Sequence, residues 1–246
     1  MYSSFIYKTK KPIFFPTATC GPPDARALGR RIKRRKTMNV TIIGMGNIGS
    51  GIAKVLGQSG HQVTVVDKDG GAAAVEKLQA AGVAAQGADV AAGVAASDVV
   101  ILATMYDAAA EIAQKADFTG KTVVDVSNPV TADFSALQVG HTSSAAEEIA
   151  KLLPGATVVK AFNTIFAPHY DSGLQIAGQK LQAFVASDSE AARETVKALA
   201  ADMGLDPRDA GPLSNARYLE GVGYMNIQFG YMLGKGTGIA PAWLEA

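Results

Sequence analysis

Three glycines that follow an apolar run constrain the fold of this chain more than any other feature of its sequence. Asn39–Ile43 is rich in β-branched residues, and Gly44, Gly46 and Gly49 come directly after it. The next residues, 48–56, carry apolar side chains at helical spacing. A strand, a glycine turn and a helix in this order are typical of the phosphate-binding unit of dinucleotide-binding sheets.

Each glycine of this motif has a separate physical role. Gly44 makes a tight turn, Gly46 lets the main chain approach a pyrophosphate, and Gly49 allows the helix to pack close to the strand. The helix then presents free N–H groups and the positive end of its dipole to an anion. A tight turn without a ligand is the alternative. We expect a dinucleotide to contact the whole turn: Gly44, Met45, Gly46, Asn47, Ile48 and Gly49.

An acidic residue at the end of the second apolar run, Val63–Val66, bears on the choice of cofactor. Asp67 lies eighteen residues after Gly49 and can accept hydrogen bonds from both ribose hydroxyls, while it would repel a 2′-phosphate. Lys68 could pair with that phosphate if Asp67 turned away, and Asp67 could instead cap a helix without a ligand. We predict NAD(P)H as the cofactor, with Asp67 tilting the preference toward NADH.

Strand and helix patterns alternate from residue 39 to about 161. Val83–Ala85 is a candidate for a short third strand. Three further candidates are continuous Val/Ile runs, which suit parallel strands covered on both faces: Asp98–Ala103, Thr122–Val126 and Thr157–Ala161. Helix candidates lie between them at 72–81, 106–116 and 144–153, the last opening with the capping box of Ser144 and Glu147. This order predicts an α/β fold with a doubly wound, mostly parallel sheet of the Rossmann type.

The last 85 residues have a different pattern. Their apolar pattern predicts two short strands around a helix, at Leu181–Ala186 and Leu205–Ala210. A final aromatic-rich helix is predicted at 214–233. For the helical segment 218–233 we favour packing on the core over a homodimer face. We therefore divide the chain into a basic leader at 1–37, a dinucleotide-binding domain at 38–165 and a small C-terminal α/β region at 166–246 that caps the site or binds substrate.

The net charge of +1 is the cancellation of two opposite parts. Residues 1–37 contain ten Lys/Arg and one acid, Asp24, which leaves 13 basic and 21 acidic residues in 38–246. The run Arg30–Lys36 is compatible with an organelle transit peptide or a nucleic-acid arm, but we favour a disordered leader. Its removal should leave nucleotide binding intact. The acidic remainder predicts no nucleic-acid partner for the main domain.

The sequence lacks the motifs of a membrane span, a metal site, a serine hydrolase and a P-loop nucleotide-binding protein. No apolar run approaches the ~20 residues of a membrane span. No His/Cys cluster has metal-ligand spacing, and neither a Gly-x-Ser-x-Gly elbow nor a P-loop occurs. The single Cys20 suits a reducing compartment. We predict a cytoplasmic protein with no metal, no membrane partner and a small-molecule substrate.

The residues that directly follow the predicted strands indicate where a ligand would bind, because ligands of open α/β sheets lie beyond the carboxyl ends of the strands. Small neutral groups occupy these positions. They suit a nicotinamide and a flat heteroaromatic partner rather than acid–base catalysis, so no catalytic residue is assigned. We expect cofactor contacts from Thr104, Met105, Asn128 and Pro129, and substrate contacts from Asn163 and Thr164. His141 and His169 are expected to be solvated loop residues.

Six segments of the chain carry a family resemblance: Ile42–Ser50, Asp125–Pro129, Ser144–Glu148, Leu153–Ala156, Val158–Thr164 and Ala210–Glu220. Together they resemble the NADPH-dependent coenzyme F-420 (deazaflavin) reductase family. The resemblance covers most of 38–233. It implies a Rossmann-type fold and direct hydride transfer between a nicotinamide and a deazaflavin stacked over it. The chain departs from the family at Asp67-Lys68, where members that use NADPH typically carry a Ser/Arg-like pair.

We therefore predict an NAD(P)-dependent oxidoreductase that transfers a hydride directly between nicotinamide and a flat acceptor of deazaflavin or flavin type. A non-catalytic NAD(P)-binding regulator, or a partner module like those of membrane reductases, is one alternative. A relative of β-hydroxyacid dehydrogenases or pyrroline-5-carboxylate reductases is another. We discount the latter because those families use a large all-helical second domain, whereas the last 85 residues here show a strand–helix–strand pattern.

Overall fold

The computed structural model of this chain describes residues 37–245. The basic run and Cys20 of the predicted leader lie outside the described residues. The core of the described part is a parallel sheet of β1 (Asn39–Ile43), β2 (Gln62–Val66), β3 (Ala85–Gly87), β4 (Val99–Leu102), β5 (Thr122–Asp125) and β6 (Thr157–Lys160). The strand order is β3-β2-β1-β4-β5-β6, which reverses between β1 and β4. This is the order of the doubly wound Rossmann fold, so the predicted fold class is confirmed.

Seven α-helices accompany the strands in residues 37–245, and they cover both faces of the sheet. They are α1 (Asn47–Gln58), α2 (Ala72–Ala80), α3 (Val90–Ala96), α4 (Ala109–Ala113), α5 (Ala145–Leu152), α6 (Glu190–Asp202) and α7 (Ala216–Ile227). On one face, Ile42 packs in a cluster with Leu56 of α1 and Val196 of α6. On the other face, Ile43 packs in a cluster with Ile149 of α5. Burial of alternate strand residues on both faces explains the continuous Val/Ile runs.

Two elements differ from the sequence-based expectation. The third strand, expected at Val83–Ala85, pairs with β2 only from Ala85 onward. The N–H of Val83 instead donates to the carbonyl of Leu78 at the end of α2, so Val83 packs in the core without joining the ladder. The helix expected at 106–116 is also shorter, with a 3-10 turn at Tyr106–Ala108 followed by α4.

The C-terminal region contains a second, smaller parallel pair. β9 (Gln182–Val185) and β10 (Asp206–Asp209) flank α6, and a hairpin of β7 (Gln175–Ile176) and β8 (Gln179–Lys180) precedes them. One antiparallel bridge, between Lys160 and Ala186, joins β9's end to the edge strand β6. The main-chain N–H and carbonyl of Lys160 both bond to Ala186, at 2.8 and 3.0 Å.

The last helix has an unusual distribution of side chains. α7 continues into a π-helical turn at Gln228–Met232, and its buried face carries Leu219, Glu220, Gly223 and Asn226. The favoured prediction of core packing for 218–233 is wrong for several apolar side chains, because Tyr218 is 72% exposed, Met225 52% and Tyr231 60%. The polar groups face inward because Glu220 bonds to Lys160 of β6 and to the start of α5, while Asn226 bonds to the Thr164 carbonyl after β6.

The two loop histidines, His169 and His141, differ in burial. His169 is buried rather than solvated, since its Nε2 lies 3.1 Å from the carbonyl oxygen of Ile239. His141 is exposed, as expected.

None of the helices described between residues 37 and 245 is long and apolar enough to cross a membrane.

Candidate functional site

The glycine turn between β1 and α1 has the geometry that its sequence predicts. Gly44 adopts a φ of 97°, which favours glycine. A Cβ at Gly49 would lie 1.9 Å from the carbonyl oxygen of Gly44, so no side chain fits there without a shift of the main chain. A Cβ at Gly46 would meet no atom within 4 Å. The space above Gly46 is therefore open.

The N-terminus of α1 is suited to an anion. Gly46 precedes the helix and supplies no side-chain cap, and the first turn carries no acidic residue. The N–H groups of a first helical turn have no partners within the helix, and the helix dipole places partial positive charge there. Open space, free donors and positive potential together fit the pyrophosphate of a dinucleotide.

A cleft of about 630 Å³ lies beside this turn, at the carboxyl ends of β4, β5 and β6. Six of the residues predicted to contact cofactor or substrate line it together: Asn47, Ile48, Met105, Asn128, Asn163 and Thr164. The other eight predicted contacts, all within the described residues, do not line this cleft: Gly44, Met45, Gly46, Gly49, Asp67, Lys68, Thr104 and Pro129. The cofactor and substrate roles of all these residues stay predictions.

The carboxylate of Asp67 is exposed at the end of β2, and Lys68 beside it is exposed as well. The Lys68 N–H donates to Asp67 Oδ1 at 2.9 Å. The side chain of Asp67 therefore stays at the end of β2. Its preference for NADH stays a prediction.

Two asparagine side chains form a hydrogen-bonded pair in the wall of the cleft. Asn128 Nδ2 donates to the main-chain oxygen of Asn163 at 2.8 Å, and Asn163 Nδ2 donates to Asn128 Oδ1 at 2.9 Å. Asn163 Nδ2 also donates to the carbonyl of Leu219 in α7 at 2.8 Å. The pair therefore ties the ends of β5 and β6 to α7.

A buried ionic cluster lies behind this asparagine pair. Lys160 Nζ is 2.6 Å from Asp125 Oδ2, 2.8 Å from Glu220 Oε1 and 2.5 Å from the carbonyl oxygen of Ser127. The three charged side chains are at most 1% exposed. The ammonium of Lys160 therefore lies in this cluster, behind the wall of the cleft.

Glu220 connects the cluster to a second helix. Its carboxylate accepts the N–H groups of Ala145 and Ala146 at the start of α5, at 2.9 and 3.2 Å. Burial raises the pKa of Glu220, and the ammonium of Lys160 opposes this rise without cancelling it. Nearby, Arg217 forms two hydrogen bonds to Glu147, which lower the pKa of that carboxyl.

An aromatic wall of the cleft was not identified as part of the site from the sequence. Phe162, with a φ of 64°, lines the cleft with Phe134, Phe166 and Tyr231. The rings of Phe166 and Tyr231 meet edge to face with centroids 5.5 Å apart. Gly223 and Asn226 of α7 also line the cleft. Glycines and an asparagine within a helix rich in apolar and aromatic residues were the available signal for α7.

Within the part of the chain that the structure describes, no group of three or more His, Cys, Asp or Glu side chains lies close enough to hold a metal ion. The described residues that line the cleft all have neutral side chains. Among these lining residues, only Tyr231 has an ionisable side chain. The site thus combines an anion-binding turn with an uncharged cleft.

This combination on a doubly wound sheet defines the class of Rossmann-type NAD(P)-dependent oxidoreductases. Residues 39–129 match the family model described as NADP oxidoreductase, coenzyme F420-dependent. This match confirms the resemblance stated from the sequence.

Individual relatives agree with this class. Metalloreductase STEAP3 of Rattus norvegicus is 35% identical over 130 residues, which are 52% of this chain and 25% of STEAP3. The chain thus spans about a quarter of the length of this relative. The crystal structure of a protein of Arthrobacter sp. FB24, proposed to be an F420-dependent NADP-reductase, has a TM-score of 0.71 and 26% identity, over 81% of this chain and 96% of that one.

A more distant structure shares the fold. A reductive aminase of Aspergillus terreus, solved with NADPH and ethyl levulinate, has a TM-score of 0.60 at 18% identity, over 81% of this chain and 64% of that one. The family and these structures are those of NADP(H)-linked oxidoreductases. The family model and the Arthrobacter structure support the oxidoreductase class and an NADP(H) cofactor, whereas the reductive aminase supports the fold alone.

Proposed function

We propose that this chain binds a reduced nicotinamide dinucleotide and transfers a hydride from it directly to a flat heteroaromatic acceptor, a deazaflavin or a flavin. The observation that carries the proposal is the cleft of about 630 Å³, which joins the glycine turn to an aromatic, uncharged wall. Hydride transfer needs placement and exclusion of water more than a proton donor at the site.

The proposed roles follow the two sides of the cleft. The turn from Gly44 to Gly49 holds the pyrophosphate by its main-chain N–H groups, and Asp67 and Lys68 meet the adenine-side ribose. Thr104, Met105, Asn128 and Pro129 hold the nicotinamide, whereas Asn163 and Thr164 hold the acceptor. When both ligands are bound, the dihydronicotinamide supplies a hydride, and the acceptor takes up that hydride and a proton from solvent. The aromatic wall keeps water out of the cleft.

Titration of the full chain with NADH and NADPH tests the first step. Loss of the reduced-nicotinamide absorbance with a deazaflavin, FMN and a quinone then tests the second. We expect binding of at least one dinucleotide and turnover of the deazaflavin or of FMN. Absence of dinucleotide binding at millimolar concentration would falsify the proposal. Tight binding without turnover of any acceptor would favour the non-catalytic regulator.

Reduction of a metal ion by way of a flavin is a second candidate, because the relative with 35% identity over 130 residues is a metalloreductase. Ferric ion is added to the same assay with and without FMN. Ferrous ion formed only in the presence of FMN would support this candidate. Ferrous ion absent from both mixtures, with FMN still reduced, would exclude it.

Two further expectations stay predictions. A homodimer was considered for the segment 218–233, and light scattering of the purified chain checks it. The cytoplasmic location rests on the single cysteine, and imaging of the tagged full-length chain in its own cell checks that location.

A further inference from the structure

One hydrogen-bond acceptor in the wall of the cleft has no partner among the described residues. It is Oδ1 of Asn163, a residue that is 7% exposed and lines the cleft. Buried polar groups nearly always have partners, and an unmade hydrogen bond at such a group is costly. Because Asn163 lines a ligand-sized cleft, an N–H group of a bound ligand is the partner that would complete this acceptor.

The hydrogen bonds around Asn163 fix which of its two terminal atoms is left over. Its Nδ2 lies 2.8 Å from the Leu219 carbonyl and 2.9 Å from Asn128 Oδ1, which are both acceptors. The Asn128 amide is fixed in turn, because its Nδ2 lies 2.8 Å from the main-chain oxygen of Asn163. Reversing either amide would bring oxygen against oxygen. The free atom of Asn163 is thus an acceptor, and it requires a donor.

The position of this acceptor is held rigidly from behind. A Cβ at Gly223 of α7 would lie 2.4 Å from Asn128 Oδ1 and 2.8 Å from Asn163 Nδ2, so the helix packs directly on the amide pair. Glu220, one turn earlier in α7, is bound to Lys160 and to the start of α5. The acceptor therefore cannot turn to a partner of its own without breaking this packing.

We infer that Asn163 Oδ1 accepts a hydrogen bond from an amide-type N–H of the bound ligand and so selects ligands that carry this group. The inference rests on the proposed function and names the chemistry that the cleft recognises. Two ligand groups present such an N–H at the edge of a flat ring: the carboxamide of nicotinamide and the lactam of a flavin or deazaflavin. A ligand that presents only carbonyl oxygens there, such as a quinone, meets oxygen with oxygen and is disfavoured.

Pairs of ligands that differ in this N–H test the inference on the wild-type chain. One pair is NADPH and its acetylpyridine analogue, in which a ketone replaces the carboxamide. The other is lumiflavin and lumiflavin methylated at its lactam nitrogen. Dissociation constants are measured by isothermal titration calorimetry. We expect a loss of roughly 5- to 150-fold within one pair, which identifies the source of the N–H, and nearly equal affinities within the other.

The Asn163→Leu variant separates a lost hydrogen bond from a steric effect of the added methyl group. Leucine keeps the size of the side chain but accepts no hydrogen bond, so the affinity ratio within the sensitive pair should fall to about one. Asn226→Leu is the matched control, because Asn226 lines the same cleft and donates to the Thr164 carbonyl at 3.2 Å. In this control the ratio should remain as in the wild type.

The outcomes separate this inference from the proposed function. If neither dinucleotide nor flavin binds, the proposed function fails. If they bind but both members of each pair bind equally well to the wild type, only the inference is overturned. The inference is also overturned, and the proposed function is not, if the affinity ratio within a ligand pair is the same in Asn163→Leu as in the wild type. Should that variant not unfold cooperatively, the wild-type ratios decide alone.

Discussion

The two sides of the cleft are built in different ways. The side of the glycine turn is made by neighbours in sequence, Gly44 to Gly49, and its groups for a ligand belong to the main chain. The opposite side is made by side chains that meet across the fold. Asn163 reaches the Leu219 carbonyl across 56 positions, and Glu220 reaches the N–H of Ala145 across 75.

The two sides of the cleft also differ in how a substitution would change binding and stability. The glycine turn depends on the absence of side chains, so its function is lost when atoms are added. The opposite side depends on complete pairing of buried polar groups, so its stability is lost when a partner is removed. Substitutions on the two sides should therefore fail in different ways, which the following predictions measure.

The largest effect is expected from Lys160→Met. It leaves Asp125 and Glu220 buried without their shared cation, and removal of one partner of a buried ion pair costs about 3–5 kcal/mol. Urea denaturation measures this loss in free energy of unfolding. Lys151→Met is the matched control, because Lys151 pairs with Glu148 at the surface, where such a pair contributes about 0.5 kcal/mol or less. Equal losses in the two variants would contradict the contrast between the sides.

Two glycine substitutions separate folding from binding on the other side. Gly49→Ala forces a methyl group against the Gly44 carbonyl and should destabilise the fold by roughly 1–3 kcal/mol. Gly46→Ala meets open space and should change stability by less than about 0.5 kcal/mol, yet weaken dinucleotide binding by roughly tenfold or more. Thermal unfolding and calorimetry measure the two effects. Unchanged affinity in the folded Gly46→Ala variant would remove Gly46 from the binding site.

A pH series distinguishes the fully buried carboxyl of Glu220 from the partly exposed carboxyl of Glu147. Because the pKa of Glu220 is raised on folding, its contribution to stability is present below the usual carboxyl range and is lost as pH rises through the raised value. The difference in unfolding free energy between wild type and Glu220→Gln should therefore fall as pH rises.

Glu147→Gln supplies the control of opposite sign. Arg217 lowers the pKa of Glu147, so the stability that it contributes is present above the usual carboxyl pKa and is lost as pH falls. For this variant the difference from wild type should grow with pH. Parallel slopes in the two series would show that burial does not govern Glu220.

The smallest effect concerns the cofactor. Asp67→Ser removes the carboxylate that would repel a 2′-phosphate, so the ratio of NADPH to NADH affinity should rise by about tenfold. Asp69→Ser is the control, because Asp69 is exposed in the same loop and bonds to the Gly71 N–H. An unchanged ratio in Asp67→Ser would show that Asp67 does not contact the ribose.

The sequence predicted the sheet and the glycine turn because their signals are local. A β-branched run, glycines at fixed offsets and a helical apolar face all lie within twenty residues. Asn128 and Asn163 could also be placed, since each follows a strand whose end lies at the edge of the sheet. What could not be predicted is that their amides bond to each other, because that contact depends on the register of β5 and β6 and on the approach of α7.

The orientation of α7 shows where pattern rules fail. Core packing was predicted for the aromatic-rich segment 218–233, but the buried face of α7 carries Glu220 and Asn226 while Tyr218 and Met225 are exposed. The buried polar groups are stabilised by partners distant in sequence, the α5 N–H groups and the Thr164 carbonyl. No local pattern contains these partners.

Lys160 also determines the order in which the site can be completed. Its main chain bonds to Ala186 and its side chain to Asp125 and Glu220. During synthesis the glycine turn and its strands can form before residue 220 leaves the ribosome, while Lys160 still lacks one of its two anions. The ionic cluster behind Asn163 can therefore be completed only after the glycine turn and its strands have been synthesised.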